Sequence, residues 1–324
     1  MYTGFKAIVQ GEMHKEKNLP CQDAVSCQVS GKGGIAIVAD GHGSEKHFRS
    51  DVGSRTAVEV ADAAIIQFLK LLSKEKKSYY DTYRMDEQLK QLEGYIITHW
   101  RQAVLLHFDS HPLTDAEKAI CAEEDLDPSV ENNRVRMYGT TLIAAMIQKT
   151  IWFVIQIGDG KCAVIDAGGI PQFPPSLEDE RLTGGKTSSL CDTDAMGNFR
   201  HTFGHESIRG VTVATDGVTD SFIPENYLDL HKRLYNDVTQ NPKNAEKELQ
   251  KSIAMWSSKG SRDDASMAGL FLKDGKPIVL GGSKPETPPP PDPSLQKWHI
   301  ALALGLAVLA AIIVVLLIKV IVKR

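Results

Sequence analysis

A chain of 324 residues with 42% hydrophobic and 7% aromatic content has enough apolar surface for a large core, which excludes a disordered or fibrous protein. Lys plus Arg number 37 against 41 Asp plus Glu, a net charge of −4, so no basic field points to nucleic acid as a partner. The 5 cysteines, Cys21, Cys27, Cys121, Cys162 and Cys191, form no C-x-x-C pair and no signal-peptide pattern opens the sequence, so free thiols in a reducing cytosol are expected.

In chain order, Phe5 to Val9, Ala24 to Val29 and Ile35 to Ala39 read as short strands bounded by glycine or polar turn residues. A long helical interval follows. Val58, Ala61, Ile65, Phe68, Leu69 and Leu72 recur at helical spacing, and Leu89, Leu92, Ile96, Ile97 and Trp100 repeat it. Thr141 to Ile147, Ile151 to Ile157, Ala163 to Ile165 and Val211 to Ala214 read as strands. Then comes a helical block over 224–259, with Leu249, Ile253 and Trp256 on its apolar side, and a last strand from Ser266 to Leu272. Strands in runs with helices inserted in blocks predict an antiparallel α+β fold, not a doubly wound parallel sheet. The acidic stretch 110–137 and the stretch 171–205 interrupt the strand pattern and are expected to be either substrate-selecting loops or passive surface excursions.

Several aspartates close apolar runs beside glycine or hydroxyl residues. They are Asp40 in Val38-Ala39-Asp40-Gly41-His42-Gly43, Asp159 in Ile157-Gly158-Asp159-Gly160, Asp216 and Asp220 in Asp216-Gly217-Val218-Thr219-Asp220, and Asp263 in Ser261-Arg262-Asp263-Asp264. A strand feeding an Asp-Gly turn delivers a carboxylate to a sheet rim. Several such rims converging make an all-oxygen pocket for a hard divalent cation. An isolated Asp-Gly is more often a turn whose side chain bonds its own backbone, so only the set as a whole points to a metal.

Ile300 to Ile318 carries no charged residue, and at 1.5 Å per residue it would span roughly 28 Å, close to a bilayer's hydrocarbon thickness. Trp298 and His299 precede it and Lys319, Lys323 and Arg324 follow, as suits an interface. A transmembrane helix over 298–322 with a basic tail at 323–324 is expected. The proline-rich segment 276–297 would be an extended linker, or bait for an SH3-like or WW-like partner. With no signal sequence, the remaining domain, 1–275, should stay cytoplasmic on a single-pass C-terminal anchor.

The motifs together resemble the metal-dependent serine/threonine protein phosphatases of the PPM type, the protein phosphatase 2C family. The matching segments are Pro20-Cys21-Gln22-Asp23-Ala24, Asp40-Gly41-His42-Gly43, Gly139-Thr140-Thr141, Gly158-Asp159-Gly160, Asp216-Gly217-Val218-Thr219-Asp220 and Ser261-Arg262-Asp263-Asp264-Ala265-Ser266, in family order over about residues 1–275. Gln22-Asp23, and Thr187-Ser188-Ser189-Leu190 ahead of Phe199-Arg200, are similar to bacterial members.

The resemblance implies a four-layer α/β/β/α sandwich of two antiparallel sheets, and two Mn²⁺ or Mg²⁺ ions that activate a water to hydrolyse phosphoserine or phosphothreonine in proteins. By position, Asp40 would bridge both ions, the Gly41 carbonyl would bind one, and Asp216 and Asp263 the other. Asp159, Asp216 and Asp220 match the cluster that holds a third ion in many bacterial members. His42 would act as general acid. Gln22 replaces a glutamate found in many members, which leaves Asp23 or Gln22 acting from behind the ligands. No arginine matches the family's phosphate-binding one, so Lys17 or Lys15 would serve as a point charge. Substrates of a Ser/Thr kinase near a membrane are the implied partners. The alternatives are a pseudophosphatase that binds phosphoproteins and a scaffold that works through its stalk and anchor.

Overall fold

A computed structural model describes residues 1–74, 82–149, 151–182, 187–222, 224–273 and 276–278. All of them lie in the first of two units, Met1–Pro285. The expected membrane helix and almost all of the proline-rich linker lie outside the described residues. Among those described, no helix is long and apolar enough to cross a membrane.

The chain runs β1 (Tyr2–Val9), α1 (Glu12–Glu16), β2 (Asp23–Ser30), β3 (Gly33–Asp40), α2 (Ser50–Lys74), α3 (Thr82–Ser110), α4 (Asp115–Glu123), α5 (Glu131–Arg136), β4 (Leu142–Gln148), β5 (Ile151–Ile157), β6 (Lys161–Ile165) and β7 (Pro171–Gln172). It continues with α6 (Ala195–Asn198), β8 (Arg200–Gly204), β9 (Gly210–Ala214), α7 (Asp216–Thr219), α8 (Pro224–Gln240), α9 (Pro242–Lys259) and β10 (Ala265–Leu272). One sheet has the order β1-β10-β9-β6-β7 and the other β2-β3-β4-β5-β8. Their strand pairs are antiparallel.

Period-2 alternation explains the layers. In β3 and β4, Ile35, Ile37, Ala39, Leu142, Ala144 and Met146 turn toward α2 and α3. Their alternates Ala36, Val38, Ile143, Ala145 and Ile147 meet Val211, Val213, Ala268 and Leu270 of the other sheet. Met267 and Phe271 of β10 face the opposite way, onto Tyr235 of α8 and Leu249 and Ile253 of α9. With both faces of each sheet covered, the strands are apolar throughout, and the expected helix–sheet–sheet–helix sandwich is the observed one.

The second helical block is refined, and two loop expectations are corrected. The block 224–259 is two helices, because Pro242 cannot continue α8 and instead opens α9. The stretch 110–137 is not an open loop: Thr114 and Glu117 form a capping box that starts α4, and Glu117 takes a two-pronged bond from Arg49. The stretch 171–205 contains β7 and the edge strand β8, whose His201 is clamped between Glu93 and Asp86 of α3 at 2.8 and 2.9 Å. All five cysteines are unpaired.

Candidate active site

The strand ends deliver the aspartates to one end of the sandwich. Asp23 opens β2 directly across from Asp40, which closes β3. The Asp40 N–H donates to Thr141 Oγ1 at 3.0 Å, and its carbonyl accepts from Thr141 N–H and the Thr140 hydroxyl, both at 2.8 Å. Gly139-Thr140-Thr141 thus splints the Asp40 backbone. A side chain at Gly41 would place its Cβ 2.6 Å from the Gln22 carbonyl oxygen and 2.7 Å from that of Ser50, so only glycine lets the turn pass.

From the other sheet, Asp216 follows β9 and begins α7, while Asp263 sits in the turn between α9 and β10. Asp159 lies between β5 and β6 after Gly158, whose φ of 109° is open to glycine. Its Oδ1 accepts from the Thr187 hydroxyl at 2.8 Å. Thr215 ties the sheets together, donating to Asp23 Oδ2 at 2.8 Å while its Oγ1 accepts the Ser266 N–H at 2.9 Å.

Asp40, Gly41, His42, Asp159, Asp216 and Asp263 all line one cleft of about 720 Å³. Asp23 is buried and does not line it; Asp220, at the end of α7, is exposed and stands outside the lining. Lys17 is exposed and also absent from the lining, where other basic side chains stand instead. These are Lys46 and Arg136, which make no side-chain hydrogen bond or ion pair among the described residues, and His14. Sequence reasoning missed all three. Arg136 stands three residues before the Gly139-Thr140-Thr141 motif and His14 three after Gly11, but spacing alone does not aim either into the cleft.

The carboxylates repel one another. Burial, then Asp216, pushes the Asp40 carboxyl well up; burial, then Asp264, does the same to Asp23. Asp216 is pushed up to about 6 by burial and by Asp159, Asp220 and Asp263, against a hydrogen bond with Asp40. Two buried oxygens, Gln22 Oε1 and Asp23 Oδ1, have no hydrogen-bond partner. Buried acceptors left without donors beside carboxylates that resist ionisation form a donor set that suits a hard dication, whose charge would satisfy both. Among the described residues, no three His, Cys, Asp or Glu side chains are already gathered as a ligand set.

Burial, then His47 and Lys46, lowers the pKa of His42 to about 3, so the imidazole is neutral at pH 7. The His47 ring, itself lowered to about 4 chiefly by burial, packs edge-on against it with centroids 4.8 Å apart.

The fold is thus a two-sheet sandwich with helices on both outer faces and a carboxylate-lined cleft at one end. The sequence profile described as protein phosphatase 2C matches residues 10–255, and the chain belongs to that family. Among solved structures it is similar to the S. agalactiae serine/threonine phosphatase, with 13% identity, a TM-score of 0.51, and coverage of 84% of this chain and 100% of that one. It is also similar to a bacterial serine phosphatase, with 12% identity, a TM-score of 0.50, and coverage of 88% and 100%. At these identities the likeness is one of fold. No curated protein sequence matches the chain.

Proposed function

We propose that this protein hydrolyses phosphoserine and phosphothreonine in proteins with the help of two divalent cations, Mn²⁺ or Mg²⁺, and that Ile300–Ile318 tethers it to a membrane with the phosphatase domain cytoplasmic. The observation that carries the catalytic reading is the convergence of Asp40, Asp159, Asp216 and Asp263, from four separate turns, on one cleft. Asp40 and the Gly41 carbonyl would hold one ion and Asp40, Asp216 and Asp263 the other, with Asp159 and Asp220 available to a third. Bound there, the ions would polarise the phosphoryl group and acidify water.

The chain's own groups supply the rest. Thr140 and Thr141 fix the Asp40 backbone, and Thr215 keeps Asp23 from rotating. Lys46 and Arg136 offer the substrate phosphate and its neighbours positive charge from the cleft wall. His42, neutral at rest, remains the group nearest Asp40 and Gly41 in sequence that can carry a proton to the leaving seryl or threonyl oxygen. A dianionic phosphate beside it would favour its protonation. Tethering would raise the local concentration toward membrane-bound substrates of a Ser/Thr kinase.

The test is phosphate release from a phosphothreonine peptide by the full chain in mild detergent with Mn²⁺ or Mg²⁺, beside Asp40→Asn and Asp263→Asn. Metal-dependent turnover abolished by both substitutions supports the hydrolase. A folded protein silent with either metal leaves a phosphoprotein-binding module. Fractionation of cells with and without 298–322 tests the tether: release to the soluble fraction on deletion is the expected result, and an unchanged distribution refutes it.

A further inference from the structure

His14 is 7% exposed and lines the cleft, yet the hydrolytic role of the aspartates leaves it without a function. Its ring is held by Asp264, whose carboxylate accepts the Gly11 N–H at 2.7 Å, the Gln22 N–H at 2.6 Å and His14 Nδ1 at 2.6 Å. An ionised carboxylate can only accept, so Nδ1 carries the hydrogen and Nε2 is left for the cleft. A carboxylate that takes one ring N–H is the arrangement that sets the tautomer of metal-ligating histidines.

Nε2 lies 3.6 Å from Asp263 Oδ1. Two donors about 2.1 Å from a shared ion stand ~3.0–3.6 Å apart at ordinary coordination angles, so this spacing suits a common ion. A further buried oxygen lies near His14, on the same side of Gly43. Gln22 is 5% exposed, its Oε1 has no partner, and a Cβ on Gly43 would lie 3.7 Å from that oxygen and 3.8 Å from His14 Nε2, with nothing nearer.

We propose that His14 Nε2 and Gln22 Oε1 join Asp263 in the donor set of one cation, giving a mixed nitrogen and oxygen site that selects a divalent transition cation such as Mn²⁺ over Mg²⁺. Imidazole favours transition metals, while Mg²⁺ keeps to oxygen. The inference rests on the metal-dependent reading of the cleft and is independent of which phosphoester is cleaved.

The experiment uses the metal-free full chain in detergent, loaded with Mn²⁺ and read by electron spin-echo modulation and by titration calorimetry. Wild type should show a nitrogen coupling that changes on isotopic labelling of histidine and is lost in His14→Gln, where Mn²⁺ affinity should fall roughly 10–100-fold and Mg²⁺ affinity far less. Absence of histidine coupling in wild type overturns the proposal whether or not the variant folds. Coupling that persists in folded His14→Gln also overturns it. If His14→Gln does not fold, His42→Asn decides: coupling retained there supports His14, and coupling lost overturns it. Unchanged Mn²⁺ affinity in folded His14→Gln with weaker binding of inorganic phosphate would make His14 an anion-binding group and defeat the proposal. Coupling without turnover would sink the phosphatase reading alone, and turnover without coupling would sink this one alone.

Discussion

Asp264 and Asp40 are carboxylates at the same end of the sandwich in opposite electrostatic states. Asp264 meets two backbone N–H groups and an imidazole, which outweigh its burial and lower its pKa. Asp40 is pushed up by burial and by Asp216, with Asp23 and Asp263 adding to the repulsion, and Asp23 beneath the cleft is pushed up in the same way. A carboxylate that holds the chain together is surrounded by donors; those proposed to hold a cation are left short of them, and the fold tolerates their repulsion.

Removing a member of the donor-poor group should have the largest effect on activity. Asp40→Asn is expected to lower turnover by about 10³-fold or more, since it removes the carboxylate proposed to hold both ions that polarise the phosphoryl group. The same change should raise metal-free stability by relieving repulsion, and a urea melt that shows destabilisation instead would break the contrast. Asp264→Ala should do the reverse to stability. It strands two buried N–H donors and His14, each worth about 1–3 kcal/mol, so a loss on the order of 3 kcal/mol is expected in the same melt. If the protein melts unchanged, Asp264 is no anchor.

Mn²⁺ at a hundred times its dissociation constant should stabilise wild type by about 2.7 kcal/mol, read as a rise in Tm, and Asp216→Asn should lose most of that gain. The smallest effect is the pH dependence of the metal-free protein. Asp216 has a folded pKa of about 6, above its ordinary 3.8, so its contribution is fully present below pH 3.8 and is lost as pH rises through about 6. His42 and His47, lowered to about 3 and about 4, act oppositely: their contribution is present above 6.5 and is lost as pH falls toward those values. The difference between wild type and Asp216→Asn isolates the first effect. Between about pH 4 and 7 it should turn against wild type with a slope on the order of 1 kcal/mol per pH unit, and flatten above. A flat difference throughout would mean that Asp216 is not desolvated.

Much of the fold was legible because local pattern and burial agree. Eight apolar runs between turn residues became β1, β2, β3, β4, β5, β6, β9 and β10. β8 escaped notice because Arg200-His201-Thr202-Phe203-Gly204 is a half-polar edge strand, stabilised by bonds to α3 rather than by an apolar run of its own. In the cleft, Asp-Gly turns at strand ends announced Asp40, Asp159 and Asp216, since strand exit and glycine are both local features. Lys17 was misplaced for the complementary reason: α1 turns His14 inward and leaves Lys17 at its exposed end.

The sequence by itself determined the α+β layering, the order of the acidic turns and membership of the protein phosphatase 2C family, because these depend on periodicity and on residues close together in the chain. Tertiary structure alone decided which of two adjacent aspartates became the anchor. Asp263 and Asp264 are chemically identical, and what separates them is that the N–H groups of Gly11 and Gln22, 253 and 242 residues away in sequence, reach only Asp264.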